Sequence, residues 1–128
     1  MACQFDKLLF ESEQRFSKAL IDIDYKVLMS LTHPNAVFTT ESAEIFHGII
    51  SLYQYYSSII KIQSIELLHR NVQFHKNYAV VSSIERRLGL LNEIDVQSEY
   101  AITRVWKCLP TKCIVISGSI VNRRNALR

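Results

Sequence analysis

The chain has 128 residues, of which 48% are hydrophobic and 21% charged, with only three glycines and two prolines. That composition excludes a disordered or fibrous chain and suffices for one domain with a real core. The formal charge is +3, but the last seven residues, NRRNALR, carry Arg123, Arg124 and Arg128 against no acid; setting those aside leaves twelve basic residues against twelve acidic. A neutral body without interleaved basic and aromatic residues argues against a nucleic-acid partner, so 1–122 is read as a single domain and 123–128 as a basic, solvated tail.

Cys3, Cys108 and Cys113 are an odd number with no CxxC or Cys/His ligand spacing. They predict unpaired thiols in a cytoplasmic protein, although Cys108 and Cys113 flank the turn LPTK and could approach across it. The four histidines show no metal-ligand spacing, so neither metal nor cofactor is expected. The start MACQFDKLLF meets Glu11 and Glu13 without a basic segment before them, so no signal peptide is expected. No apolar run reaches the ~20 residues of a membrane span, and no membrane partner is expected.

A first helix is predicted from about Phe5 to Ile23, with Phe5, Leu9, Phe16, Leu20 and Ile23 on one stripe. Asp24 is placed to cap a short second helix whose Val27, Leu28 and Leu31 face inward. Pro34 ends it. AVFTT and EIFHG read as two short strands joined by a polar turn, and Gly48 opens a third helix, IISLYQYYSSII. Along that helix Tyr53 and Tyr56 are expected to face the interior and Tyr55 solvent or a partner.

Four strands follow, at 62–75, 78–91, 96–107 and 113–122, joined by short turns that imply antiparallel pairing. In the first of these, Ile65 and Leu67 fall on the face opposite Val72 and Phe74 under strict alternation. A one-residue slip is therefore expected near His69 to Asn71. The predicted class is α+β, a layered domain in which three N-terminal helices cover one face of an antiparallel sheet.

Within the third strand, SEYAITRVWK places Tyr100, Ile102, Arg104 and the only tryptophan, Trp106, on one face. An arginine in the middle of an otherwise apolar face needs an interior partner. Ser83, Glu85 and Arg87 share one face of the preceding strand by alternation.

The order of elements, with SKALIDIDYKVLMSL, HPNAVFTT, FHGI, HKNYAVVSS and TRVWK at their places, resembles the nuclear transport factor 2-like superfamily. Within it, the likeness is in particular to the SnoaL-like members and the kinase association domain. That resemblance spans about residues 5 to 121 and implies a cone-shaped sheet around a pocket, with the helices as its lid and a homodimer formed through the outer sheet face. It implies that Arg104 points into the cone, with Glu85 at the second charged position on the neighbouring strand as its expected partner and His47 at the rim. Arg104, Glu85, Tyr53, Tyr56, Tyr100, His47 and Ser119 are accordingly the expected ligand-binding residues. Ser119 stands where many members have a larger group, which would leave volume in the cone.

Catalysis fits less well. Isomerase-like members need a carboxylate where this chain has Thr39 and Thr40, and alternation sends Glu41 to the wrong face. Dehydratase-like members pair an aspartate at the position of Asp24 with a histidine after the third helix, where SSIIKIQS has none. The candidate bases are Asp24 and Glu85, with helix capping the simpler role for Asp24. The primary expectation is a small-molecule binder that takes an organic acid in its pocket and forms a homodimer. The alternatives are a cyclase, dehydratase or isomerase-type enzyme and a ligand-free dimerisation module.

Overall fold

The structure, a computed structural model, describes residues 5–123; Cys3 and the tail beyond Arg123 lie outside the described residues. Three helices, α1 (Asp6–Asp22), α2 (Tyr25–Ser30) and α3 (Ile49–Ser58), accompany six strands. These are β1 (Thr32–Thr39), β2 (Ile45–His47), β3 (Ile60–His75), β4 (Tyr78–Leu91), β5 (Ile94–Cys108) and β6 (Cys113–Asn122). They form one sheet in the order β2-β1-β6-β5-β4-β3. Every pairing is antiparallel except β1 with β6, so this is the α+β architecture that the periodicity predicts.

Local chemistry sets the joints. Ile23 adopts a left-handed conformation at φ 55° and closes α1. Asp24 then starts α2 by accepting a hydrogen bond from the Val27 amide at 3.2 Å. Pro34 does not separate helix from strand as expected. β1 already begins at Thr32, and Pro34 lies within it, in a stretch where the register against β6 shifts between Thr32 and Val37. Proline has no amide hydrogen for the ladder, so the irregularity falls at its segment.

Two bulges decide which side chains enter the core. The slip in β3 lies between Leu67 and His69, one step before the expected segment, with a further shift between Ile62 and Ser64. Beyond it Val72 and Phe74 pack against the core, and Arg70 turns inward with them. In β6 the register against β5 shifts at Ile116. Strict alternation from Cys113 and Val115 would send Ser119 inward; the extra residue turns Gly118 and Ile120 inward instead. β4 and β5 alternate without interruption, burying Ala79, Val81, Ser83, Glu85 and Arg87 on one strand and Tyr100, Ile102, Arg104 and Trp106 on the other.

The core lies between this inner face and the helices, around Leu9, Phe16, Leu20, Leu28, Val81 and Trp106. Cys108 and Cys113 are directly opposite in the β5–β6 register and both buried. The outer face carries Val80 beside Val105 and Ile84 beside Ala101. Below them runs a row of ion pairs, Glu66–Arg86–Glu99–Arg123. Among the described residues no helix is long and apolar enough to cross a membrane.

Gly89 stands where β4 runs tight against the Lys61–Ile62 backbone of β3. A Cβ there would land on the Lys61 carbonyl oxygen. Gly89→Ala is expected to lower unfolding free energy by ~1–3 kcal/mol, measured by urea denaturation, whereas an unchanged midpoint would show that β3 shifts freely there.

Candidate functional site: a buried ionic cluster in the cone

Arg104 finds its principal partner on α1, in a residue that strand alternation did not nominate. Glu13 continues the apolar stripe of α1, four residues after Leu9 and three before Phe16, and is 1% exposed. Its carboxylate takes a two-pronged contact from Arg104, Nε to Oε2 at 2.9 Å and Nη2 to Oε1 at 2.8 Å. Trp106 Nε1 donates to Oε2 at 2.7 Å, and Arg70 Nη2 to Oε1 at 3.3 Å. Two oxygens therefore accept four hydrogen bonds, the full capacity of an ionised carboxylate.

Burial pushes the Glu13 carboxyl up, but the charge of Arg104 and the hydrogen bonds from Arg104 and Trp106 outweigh it and hold the group below the usual carboxylate range. Burial alone would lower the Arg104 pKa; the charge and hydrogen bonds of Glu13 raise it instead. The Phe16 ring lies 5.2 Å from the Arg104 guanidinium and packs edge-on to Trp106.

Glu85 is buried beside Arg104, as expected, but as its second partner at 3.6 Å. Its closer contact is Arg87 on its own strand, Nε to Oε1 at 3.0 Å. Arg87 Nη1 donates to the Tyr56 hydroxyl at 3.3 Å, and that hydroxyl donates to Glu41 at 3.4 Å. Burial pushes the Tyr56 hydroxyl pKa well up, against the opposing charge of Arg87. Glu41 was expected on the wrong face. β1 ends at Thr39, and the following turn, with Ala43 at φ 65°, returns it to Tyr56.

The other expected residues divide. Tyr100 is buried, with the Arg87 guanidinium 5.8 Å from its ring. Tyr53 is only half-buried and packs on Tyr25, while Tyr55, expected outside, is 4% exposed and bonded to Ser42. His47 is exposed in the short β1–β2 ladder opposite Val37. Asp24 is exposed and serves as the α2 cap.

Ser119 is exposed at the pocket rim; the residue that leaves room in the cone is Gly118, whose Cβ would sit 3.0 Å from Phe38 and 3.5 Å from Arg104. The pocket there, walled by Phe16, Tyr56, Arg87, Ile102, Arg104 and Gly118, has a free volume of about 30 Å³. That is room for a couple of waters or one carboxylate-sized group. Among the described residues no cluster of three His, Cys, Asp or Glu side chains is placed to hold a metal ion.

No family model matches the chain, and no curated protein matches it in sequence. Solved structures do match. A protein from Cytophaga hutchinsonii described as NTF2-like superposes with a TM-score of 0.81 at 22% identity, covering 94% of this chain and 99% of that one. The fold is the nuclear transport factor 2-like fold.

A putative Ca/calmodulin-dependent kinase II association domain from Exiguobacterium sibiricum reaches a TM-score of 0.84 at 9% identity, with 95% of each chain covered. A ketosteroid isomerase-like protein from Erwinia carotovora atroseptica reaches 0.77 at 11%, covering 94% of this chain and 98% of that one. Neighbours with such different names share one architecture, so the fold leaves the function to the site.

Glu13→Gln should cost ~3–5 kcal/mol at neutral pH, because it leaves buried guanidinium without its counter-charge. Since folding lowers the Glu13 pKa, its contribution is present above the usual carboxylate range and is lost as pH falls through the lowered value. Wild type and variant should therefore converge in acid. Urea midpoints measured from pH 7 to pH 3 check this; a constant gap would refute it.

Proposed function

We propose that the chain is a non-catalytic, homodimeric domain that binds a small organic acid against the buried ionic cluster of its cone. The observation that carries this reading is the charge of that cluster. The directly ion-paired groups are Arg70, Arg87 and Arg104 against Glu13 and Glu85, three cations to two anions. The nearest further carboxylate, Glu41, stands partly exposed behind Tyr56. Arg87 and Arg104 balance Glu13 and Glu85 among the fully buried groups, so the surplus cation is Arg70, which at 18% exposure is within reach of an entering anion.

The anchor in this reading is not Arg104, whose guanidinium is committed to Glu13 and Glu85. It lies at an end of the chain of ion pairs, at Arg87 or at Arg70. The hydrogen bonds of Arg87 use Nε and Nη1, and its Nη2 takes part in neither. Tyr56 and Tyr100 would pack around a ligand at that end.

Against catalysis, no histidine or carboxylate lines the cone pocket among the described residues. Of the candidate bases, Asp24 is occupied as a cap and Glu85 is ion-paired to two arginines.

The outer face supports the homodimer. Its apolar pairs, Val80 with Val105 and Ile84 with Ala101, flank the exposed pair Ser82–Thr103 across β4 and β5, beside an ion-paired border. Such a mixed face, with apolar pairs among small hydroxyl side chains, suits association, and a kinase association domain among the structural neighbours agrees with an assembly role. A second reading, favoured by the saturation of Glu13, is a dimerisation module in which the ionic cluster only closes the cone.

Two measurements test the proposal. Light scattering after size exclusion should give a dimer for the wild type and a monomer for Ile84→Asp; a monomeric wild type would remove the dimer. A thermal-shift screen against small carboxylates should raise the midpoint by several degrees near ~100 times the dissociation constant, where the linkage term is ~2.7 kcal/mol. If no acid shifts the wild type, the module reading replaces the binder.

A further inference from the structure

The outer face of the sheet carries a row of four charges, one from each of four neighbouring strands. Glu66 of β3 stands opposite Arg86 of β4, and Arg86 opposite Glu99 of β5. Arg123 follows β6, its amide donating to the Glu99 carbonyl. Arg86 binds both glutamates, Nη1 to Glu66 Oε1 at 3.0 Å and Nη2 to Glu99 Oε2 at 3.1 Å, and Arg123 Nη1 reaches Glu99 Oε1 at 3.2 Å. The two middle members of the row thus have two partners in it and the two end members one. All four side chains are at least 36% exposed.

An apolar row adjoins this one on the same face, with Ile84, Ala101 and Val121 directly opposite one another on β4, β5 and β6. Val121 is 63% exposed. Beyond it come Ser82 with Thr103, then Val80 with Val105. Row by row, β4 and β5 therefore carry like chemistry on this face, except in the charged row, where they carry opposite signs.

A second copy laid face to face on this surface about a two-fold axis can be turned in two ways that keep the strands of the two sheets aligned. Charge decides between them. An axis along the charged row stacks Arg86 on Arg86 and Glu99 on Glu99, like on like. An axis parallel to the strands, between β4 and β5, reverses the row instead, and an alternating row of four is complementary to its own reversal. Arg86 of each copy then meets Glu99 of the other, and Glu66 meets Arg123. The same operation sets Val80 over Val105, Ile84 over Ala101 and Ser82 over Thr103, apolar on apolar and hydroxyl on hydroxyl.

We propose that two copies of this chain dimerise about a two-fold axis parallel to the strands between β4 and β5, and that the row Glu66–Arg86–Glu99–Arg123 fixes this orientation. The inference rests on the homodimer reading above and adds how the copies face each other and which residues decide it. The ends of the row gain most. Glu66 and Arg123, each with one partner in its own chain, receive from the second copy the opposite charge that their own neighbours do not supply. Complementary charge of this kind selects one docking orientation and penalises the others.

The test uses the charge-inverted chain, Glu66→Arg, Arg86→Glu, Glu99→Arg and Arg123→Glu, which keeps every opposite-charge pair within the row. Wild type and this variant, one of them isotopically labelled, are mixed in urea, refolded together and weighed by native mass spectrometry. Each should dimerise with itself. The mixed dimer sets like charge on like, and should fall from the statistical half of all dimers to about a twentieth or less. Glu66→Gln and Arg123→Gln give an independent readout. Within one chain the two residues lie three strand spacings, ~14 Å, apart, and both are exposed, so both variants should stay folded. Each should raise the dimer dissociation constant about threefold or more, and the double variant no further than either alone, because both remove the same intermolecular pair.

A 1:2:1 distribution overturns the orientation and leaves the homodimer reading standing, as do effects of the two neutral variants that simply multiply. An excess of mixed dimer over one half would identify the axis along the row and overturn the proposal likewise. A wild type that stays monomeric removes both.

Discussion

The structure depends on one carboxylate. Glu13 takes hydrogen bonds from Arg104, Trp106 and Arg70, residues of β5 and β3, while standing on α1. A single side chain thereby fixes how the first helix lies across the sheet. Desolvating these charges is costly, and their attraction offsets that cost only because every carboxylate lone pair is used. An apolar pair could hold α1 to the sheet, but it would not dictate the helix's rotation and height so sharply. Buried ionic groups of this kind trade stability for one definite arrangement.

Strand irregularities supply the other half of the arrangement. Without the extra residue between Leu67 and His69, Arg70 would face outward and Glu13 would lose a donor. Without the one at Ile116, Ser119 would replace Gly118 beside Arg104 and Phe38. Each bulge moves a whole strand segment by one parity step. The inner face therefore collects three arginines although no single strand segment advertises them.

Much of this was legible in the sequence, and the misses have physical causes. Period and turn chemistry gave the three helices, the hairpin and the four long strands, and the parity break in β3 was visible in Ile65, Leu67, Val72 and Phe74. An arginine among Tyr100, Ile102 and Trp106 announced a buried ion pair. Its principal partner was missed because strand alternation nominates neighbours in the sheet, whereas the partner came from a helix. The signal was present as a glutamate at the place in the α1 stripe, between Leu9 and Phe16, where a hydrophobe was due. The inward turn of Gly118, with Ser119 at the pocket rim, was hidden because nothing in CIVISGSIV breaks parity visibly, and Tyr55 joins the half-buried Tyr53 against the core because a short helix near a sheet edge buries a wider face than one stripe.

The same interaction organises fold and proposed function, since the cluster that orients α1 also leaves a cation at each end of its ion-pair chain. The most direct test of its central role is a double-mutant cycle on Glu13→Leu and Arg104→Met, read by urea unfolding at pH 7. The coupling energy should be at least ~2 kcal/mol, with the double variant more stable than either single one, because removing both charges leaves neither member of the pair buried without its counter-charge, even though Trp106 Nε1 and Arg70 Nη2 lose their acceptor. Additivity within ~0.5 kcal/mol would contradict it and reduce Glu13 to a residue that is merely nearby.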